Sequence, residues 1–229
     1  MLGKALLDGG IVDRREYAHT NQQRYLAWAG GLVSSPYSEA ERFEWAIITA
    51  HTGFQASVAG FLASRREVTL TGLARALWAA GVMAPNKKAA YIIRLREGLV
   101  AGSLSLPTSP YHDWRRTHKL PGLMHTKLSF GICLCDPYGA DVVCIDTHIA
   151  AAYGADYKLC LRGLDEYERV ERQILGEADA VGLPAFVFAW AVWDWWRARS
   201  VYKPPENHSF LWPGGATEAQ LPLFTHRAG

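Results

Sequence analysis

The sequence has little net charge of either sign: 24 Lys and Arg stand against 22 Asp and Glu, a formal net of +2. Such a balance excludes a global field that would pull the chain onto nucleic acid, so any basic surface is local. Cysteine is scarce as well. Cys133, Cys135, Cys144 and Cys160 fall in one short stretch and form no Cys-x-x-Cys pair. A disulfide framework would spread them, and zinc or iron–sulfur ligation uses paired spacings. They are expected to be small buried hydrophobes, with no metal and no cofactor. No apolar run reaches membrane-span length without a charge; the most apolar, around Leu183 to Trp196, carries Asp194. Met1 to Tyr17 interleaves charges where a signal peptide has an apolar core. These absences predict a soluble, intracellular, cytoplasmic protein. Two-residue alternation is also rare, which argues against a large sheet.

What is present is a globular balance, 49% hydrophobic and 20% charged over 229 residues, enough for one large domain or two small ones sharing a core. The patterning is helical and the expected class is all-α. Phe43, Ile47, Ala50, Phe54, Val58, Phe61 and Leu62 recur every three or four residues, so they line one helix face. Ser38 and Glu41 ahead of them fit a capping box. Leu73 to Ala80 and Lys87 to Arg96 repeat the pattern, separated by the breakers Gly81 and Pro85. Gly98 to Tyr111 reads as a loop, and Pro121-Gly122 interrupts a helix pair. Cys144 to Tyr153 opens a helix with Asp146 as its N-cap. Tyr167 to Ala180 and Pro184 to Arg199 complete the set, and residues 204–229, rich in Pro and Gly, are expected to be loosely structured.

Three segments carry candidate chemistry. One is Leu120-Pro121-Gly122-Leu123-Met124-His125-Thr126-Lys127, followed by the apolar run Leu128 to Cys135. A second is Val143-Cys144-Ile145-Asp146-Thr147-His148-Ile149. A third is Asn86-Lys87-Lys88-Ala89-Ala90-Tyr91-Ile92-Ile93. Read by residue type alone, Asp146 is a helix cap and Lys127 a solvated lysine as readily as either is a reactive group.

Together, in this order, the three resemble the helix-hairpin-helix DNA glycosylases, the superfamily of endonuclease III and 8-oxoguanine glycosylase. That family has a Leu-Pro-Gly hairpin, then a lysine and an apolar helix, and about twenty residues later a Val-Asp-Thr-His signature. Here the lysine and the aspartate are 19 positions apart. The likeness runs from about Phe43 to Arg199; Phe43 to Ile47 resembles the family's first core helix.

The resemblance implies a two-lobed helical fold with a cleft between the lobes, within one unit over 1–203. The first lobe would be about 38–135, with the hairpin near 113–127, and the second 1–37 with 136–203. It implies a monomeric enzyme whose partner is DNA and which flips a damaged or modified base out of the duplex and excises it, with or without lyase activity. Cleaving the N-glycosidic bond builds positive charge on the sugar, which a carboxylate stabilises; the family role falls on Asp146. An amine attacking the sugar carbon gives a Schiff base; that role falls on Lys127. The hairpin would bind a DNA phosphate through backbone N–H groups of Gly122, Met124, His125 and Thr126. It departs from the family in lacking a second glycine and in holding one extra residue. Arg115, Arg116, His118 and Lys119, just upstream, either contact phosphate or form a solvated basic loop.

His51, Phe54 and Gln55 fall where the family lines the pocket or fills the gap left by a flipped base; Gln55 is the candidate wedge, and Phe54 also fits the core. His148 belongs to the Asp-Thr-His signature. Trp190, Trp193, Trp195 and Trp196 surround Asp194 on one helix, either as core or as planes for a base. Asp194 and Arg197 either pair internally or face the pocket. Two other functions stay open: a transferase of the kind found in phage base hypermodification, which adds an amine or amino acid to an activated 5-hydroxymethyl pyrimidine, and a non-catalytic DNA-binding module.

Overall fold

The computed structural model describes residues 2–199, without the side chains of 2–13, Phe54 and Ala198. The predicted tail, 204–229, lies outside the described residues. Among these the fold is all-α. In chain order the helices are α1 (Leu2–Val33), α2 (Glu39–Thr49), α3 (Phe54–Ser64), α4 (Leu70–Ala79), α5 (Pro85–Val100), α6 (Tyr111–Thr117), α7 (His125–Cys135), α8 (Thr147–Ala152), α9 (Tyr157–Arg162), α10 (Leu164–Ala180) and α11 (Ala185–Arg199). The described residues contain no strand, only an isolated bridge between Leu120 and Leu123. No single described helix is long and apolar enough to cross a membrane.

The described residues fall into two compact units: 2–33, 107–118 and 124–199 in one, 34–106 and 119–123 in the other. In the first, α1 packs along α11, and α11 also meets α8 and α10. The N-terminal helix thus returns beside the C-terminal one, as expected. Trp28 of α1 stacks on Trp190 of α11 at 4.6 Å, and Phe130 of α7 lies 6.2 Å from the same indole. The sequence boundary at 135 assigned α7 elsewhere. It groups with this unit because Phe130 completes the aromatic cluster and because the Thr126 hydroxyl donates to the Ile145 carbonyl at 3.0 Å.

In the second unit α2, α3, α4 and α5 pack on one another. The capping box at Ser38 forms as predicted. The single helix expected across Phe43 to Leu62 is two helices. Between them His51 takes φ 54°, and Gly53 is the N-cap of α3. A distant residue makes the break: buried Lys88 of α5 donates to the carbonyls of Ile48, at 2.7 Å, and Ala50, and to the Thr52 hydroxyl at 2.7 Å. An ammonium at the carbonyl end of α2 satisfies groups that continued helix would otherwise bond. In the 119–123 turn the Leu123 amide donates to the Leu120 carbonyl at 3.2 Å. Pro121 and Gly122 fill its centre, Gly122 at φ 72°, the conformation a Pro-Gly turn requires.

Candidate active site

The loop before α8 is braced from three sides. From α10, the Tyr167 hydroxyl donates to the Val143 carbonyl at 2.7 Å and accepts from the Ile145 amide at 3.1 Å. Glu171 accepts the Val143 amide at 2.8 Å. From α6, Arg115 forms a two-pronged pair with Glu171, both contacts 2.7 Å, and donates to the Ser129 hydroxyl of α7 at 2.8 Å. From α7 comes the Thr126–Ile145 bond. The residue before Lys127 is therefore tied to the residue before Asp146.

Asp146 caps α8 as predicted. Its Oδ1 accepts the amides of His148 and Ile149, each at 2.9 Å, and its Oδ2 accepts the indole N–H of Trp193 at 2.8 Å. The far end of α8 is held as well: buried Arg14 donates to the Ala152 carbonyl at 3.1 Å and pairs with Glu177. Lys127, half-buried in the first turns of α7, places its ammonium 5.1 Å from the Phe130 ring. Phe130 borders Trp190, and Trp190 stacks on Trp193 at 5.7 Å. One aromatic row thus links the lysine to the aspartate. His148 meets Trp193 edge-on at 5.6 Å, and Arg197 lies 4.3 Å over the same indole.

The structure therefore brings together Lys127, Asp146, His148, Trp193 and Arg197 within one unit. It adds two residues that sequence reasoning missed. Cys144 feels both catalytic candidates: burial and the Asp146 charge push its thiol up to about 12, against the opposing charge of Lys127. Its side chain is half-buried, as is that of Cys135, whereas Cys133 and Cys160 are buried as expected. Tyr157, the first residue of α9, stands close enough to Thr126, Cys144 and Asp146 to interact with them, and burial raises its phenol above the ordinary range. No local motif flags Tyr157, since Asp156 before it is an ordinary cap for α9.

Other predicted residues stand elsewhere. Arg115 is 2% exposed and paired to Glu171, so it is not presented to a phosphate: it is a brace. Arg116 pairs with Glu168 but keeps 49% of its side chain in solvent. Thr126 is buried and its hydroxyl proton goes to Ile145, so its side chain does not face DNA either. His118 stacks on Trp114 at 4.6 Å. Lys119, Gly122 and Met124 are exposed and His125 half-buried. Met124 gives α7 no side-chain cap. Asp194 is buried and accepts from the Tyr25 hydroxyl at 2.8 Å, which sets it against α1. Trp190 and Trp195 are core, Trp193 and Trp196 half-buried. His51 and Gln55 belong to the other unit, on and after the loop that Lys88 holds; the Phe54 side chain is outside the described residues. Among the described residues no group of three His, Cys, Asp or Glu is placed to hold a metal ion.

Comparisons with protein-family models, with curated proteins and with solved structures return no match for this chain.

Proposed function

We propose that this chain is a DNA N-glycosylase of the helix-hairpin-helix type, with the two-lobed architecture of that superfamily, acting on a damaged or modified base turned out of the duplex. The observation that carries the reading is the Thr126–Ile145 hydrogen bond, which ties the residue before Lys127 to the residue before Asp146 although the two candidates stand 19 positions apart in sequence. A carboxylate offers four acceptor sites. Three on Asp146 are taken by N–H donors, which fixes its orientation and leaves one acceptor site on Oδ2. An oriented carboxylate stabilises the positive charge that grows on the sugar as the C1′–N bond breaks and the bonding pair leaves with the base. The Lys127 amine, once deprotonated, then bonds to C1′. One of its two protons then passes to the ring oxygen as the C1′–O4′ bond breaks, which leaves a protonated Schiff base at C1′ and a 4′-hydroxyl.

The test uses duplexes bearing a set of modified bases. Base release plus covalent capture by borohydride, with capture lost in Lys127→Gln, is the expected result. Release that persists in Lys127→Gln without capture assigns the attack to water. A heavier base still attached to the sugar, with no free base, replaces this reading by the transferase. DNA binding with neither outcome leaves the binding module.

A further inference from the structure

Trp193 was singled out in the sequence as a plane on which a base could stack, but its geometry fits another task. Its indole N–H points at Asp146 Oδ2, 2.8 Å away, while its ring is held by Trp190 at 5.7 Å, Arg197 at 4.3 Å and the edge of His148 at 5.6 Å. The two amides on Oδ1 come from the helix that Asp146 itself caps. They fix one oxygen but leave the carboxylate free to rock about it. The indole comes from a separate element, α11, and fixes the second oxygen. We infer that Trp193 is a positioning residue: its N–H sets the carboxylate plane of Asp146, so that the remaining Oδ2 acceptor site points in one direction, and its three neighbours hold the ring in place. This rests on the glycosylase reading for its consequence in catalysis, but the hydrogen bond stands or falls by itself.

Two measurements on the full chain separate these levels. In protein labelled with ¹⁵N at the tryptophan indoles, the Trp193 resonance is the one lost in Trp193→Phe. A donor bonded to a carboxylate resonates downfield, so Asp146→Asn, which keeps a capping oxygen but turns an amide N–H₂ toward the indole, moves that proton upfield. An unmoved resonance overturns the inference whatever the protein's activity. The second measurement is base release. Trp193→Phe keeps an aromatic plane and loses the N–H, and a hydrogen bond to a charged group is worth about tenfold to a hundredfold. The expected result is a fall of that size in kcat with KM unchanged, the same in Trp193→Leu. A Phe variant as fast as the parent, or one changed only in KM, reduces Trp193 to a stacking plane and overturns the inference. If the parent releases no base at all, the glycosylase reading fails and the indole resonance alone decides whether Trp193 holds Asp146.

Discussion

Arg115 and Lys88 are both cations removed from water, 2% and 6% exposed, yet the regions they serve are held in different ways. Arg115 meets a carboxylate and a hydroxyl through three bonds, and its partner Glu171 passes the constraint on to the Val143 amide. Tyr167, Thr126 and Trp193 constrain the same stretch independently. The Asp146 region is thus over-determined. Lys88 by itself gathers two carbonyls and a hydroxyl at the loop between α2 and α3, and the Thr52 hydroxyl in turn accepts the Met83 amide. Most of the tertiary bonds of that loop converge on one ammonium. The first region is thus fixed by several elements at once, the second mainly through a single side chain.

The largest effect tests the over-determined side. Arg115→Ala leaves Glu171 buried without its counter-charge, which costs about 3–5 kcal/mol. The chain should lose that stability in denaturant titration, if it folds at all. If Arg115→Ala instead keeps full stability and only weakens DNA binding, its assignment as a brace is wrong.

Asp146→Asn comes next and separates chemistry from capping. Asn caps a helix as well as Asp, so the melting temperature should fall only by what the lost Trp193 bond contributes, while base release falls about a hundredfold to a thousandfold through lost transition-state charge stabilisation. DNA affinity should change little, because that charge exists mainly in the transition state. A variant that melts early, with rate loss in proportion, would make Asp146 a cap and nothing more.

Asp146 was legible in the sequence because its capping role and its place in an Asp-Thr-His motif are both local. The helices were legible for the same reason: an apolar period, Ser38 with Glu41, and the breakers Gly81 and Pro85 are short-range signals. Where the expectation failed, a long-range partner decided. The period from Phe43 to Leu62 is real, but Lys88, about 40 residues away, removes the carbonyls that a continuous helix needs. Arg115 read as a phosphate ligand because it stands in a basic string, and nothing nearby announces Glu171, 56 residues on. Tyr157 and the new task of Trp193 were hidden similarly: each acts through a tertiary contact, and composition does not say where an indole N–H points. The N-terminal helix, with Gly9, Gly10, Gly30 and Gly31 in it, carries too weak a pattern to stand out alone.

The single-point character of the other region is sharpened by Lys88→Met, which keeps the apolar stem and removes the ammonium. Bonds to a charged donor are worth about 1.5–3 kcal/mol, and the loss should be local: amide exchange in 49–53 and around Met83 speeds up, while protection in α10 and α11 is unchanged. Uniform loss of protection would contradict the contrast. Gly122→Ala is of similar or smaller size. At φ 72° an alanine is strained, and its Cβ would sit 2.3 Å from the Tyr91 ring, so about 1–3 kcal/mol should be lost unless Tyr91 swings aside. A Gly122→Ala protein as stable as the parent would mean that the turn is not held against α5.

The smallest expected effect lies at the edge of the brace, where Arg116 pairs with Glu168. Arg116 holds the Glu168 carboxyl below the usual carboxylate range, against the opposing pull of burial, with His112 and Arg115 adding to it. A carboxyl whose folded value is depressed contributes stability that is fully present at neutral pH and is lost as pH falls through that value. Because half of the Arg116 side chain is in solvent, screening by water and salt keeps the pair's contribution small. Arg116→Gln should therefore lower stability slightly at pH 7, and the two proteins should converge once Glu168 is protonated, so the variant's stability falls less steeply on acidification. Melting curves at a series of pH values measure this. A loss at pH 7 as large as that of Arg115→Ala would erase the distinction between the buried pair that braces Asp146 and the outer pair that merely borders it.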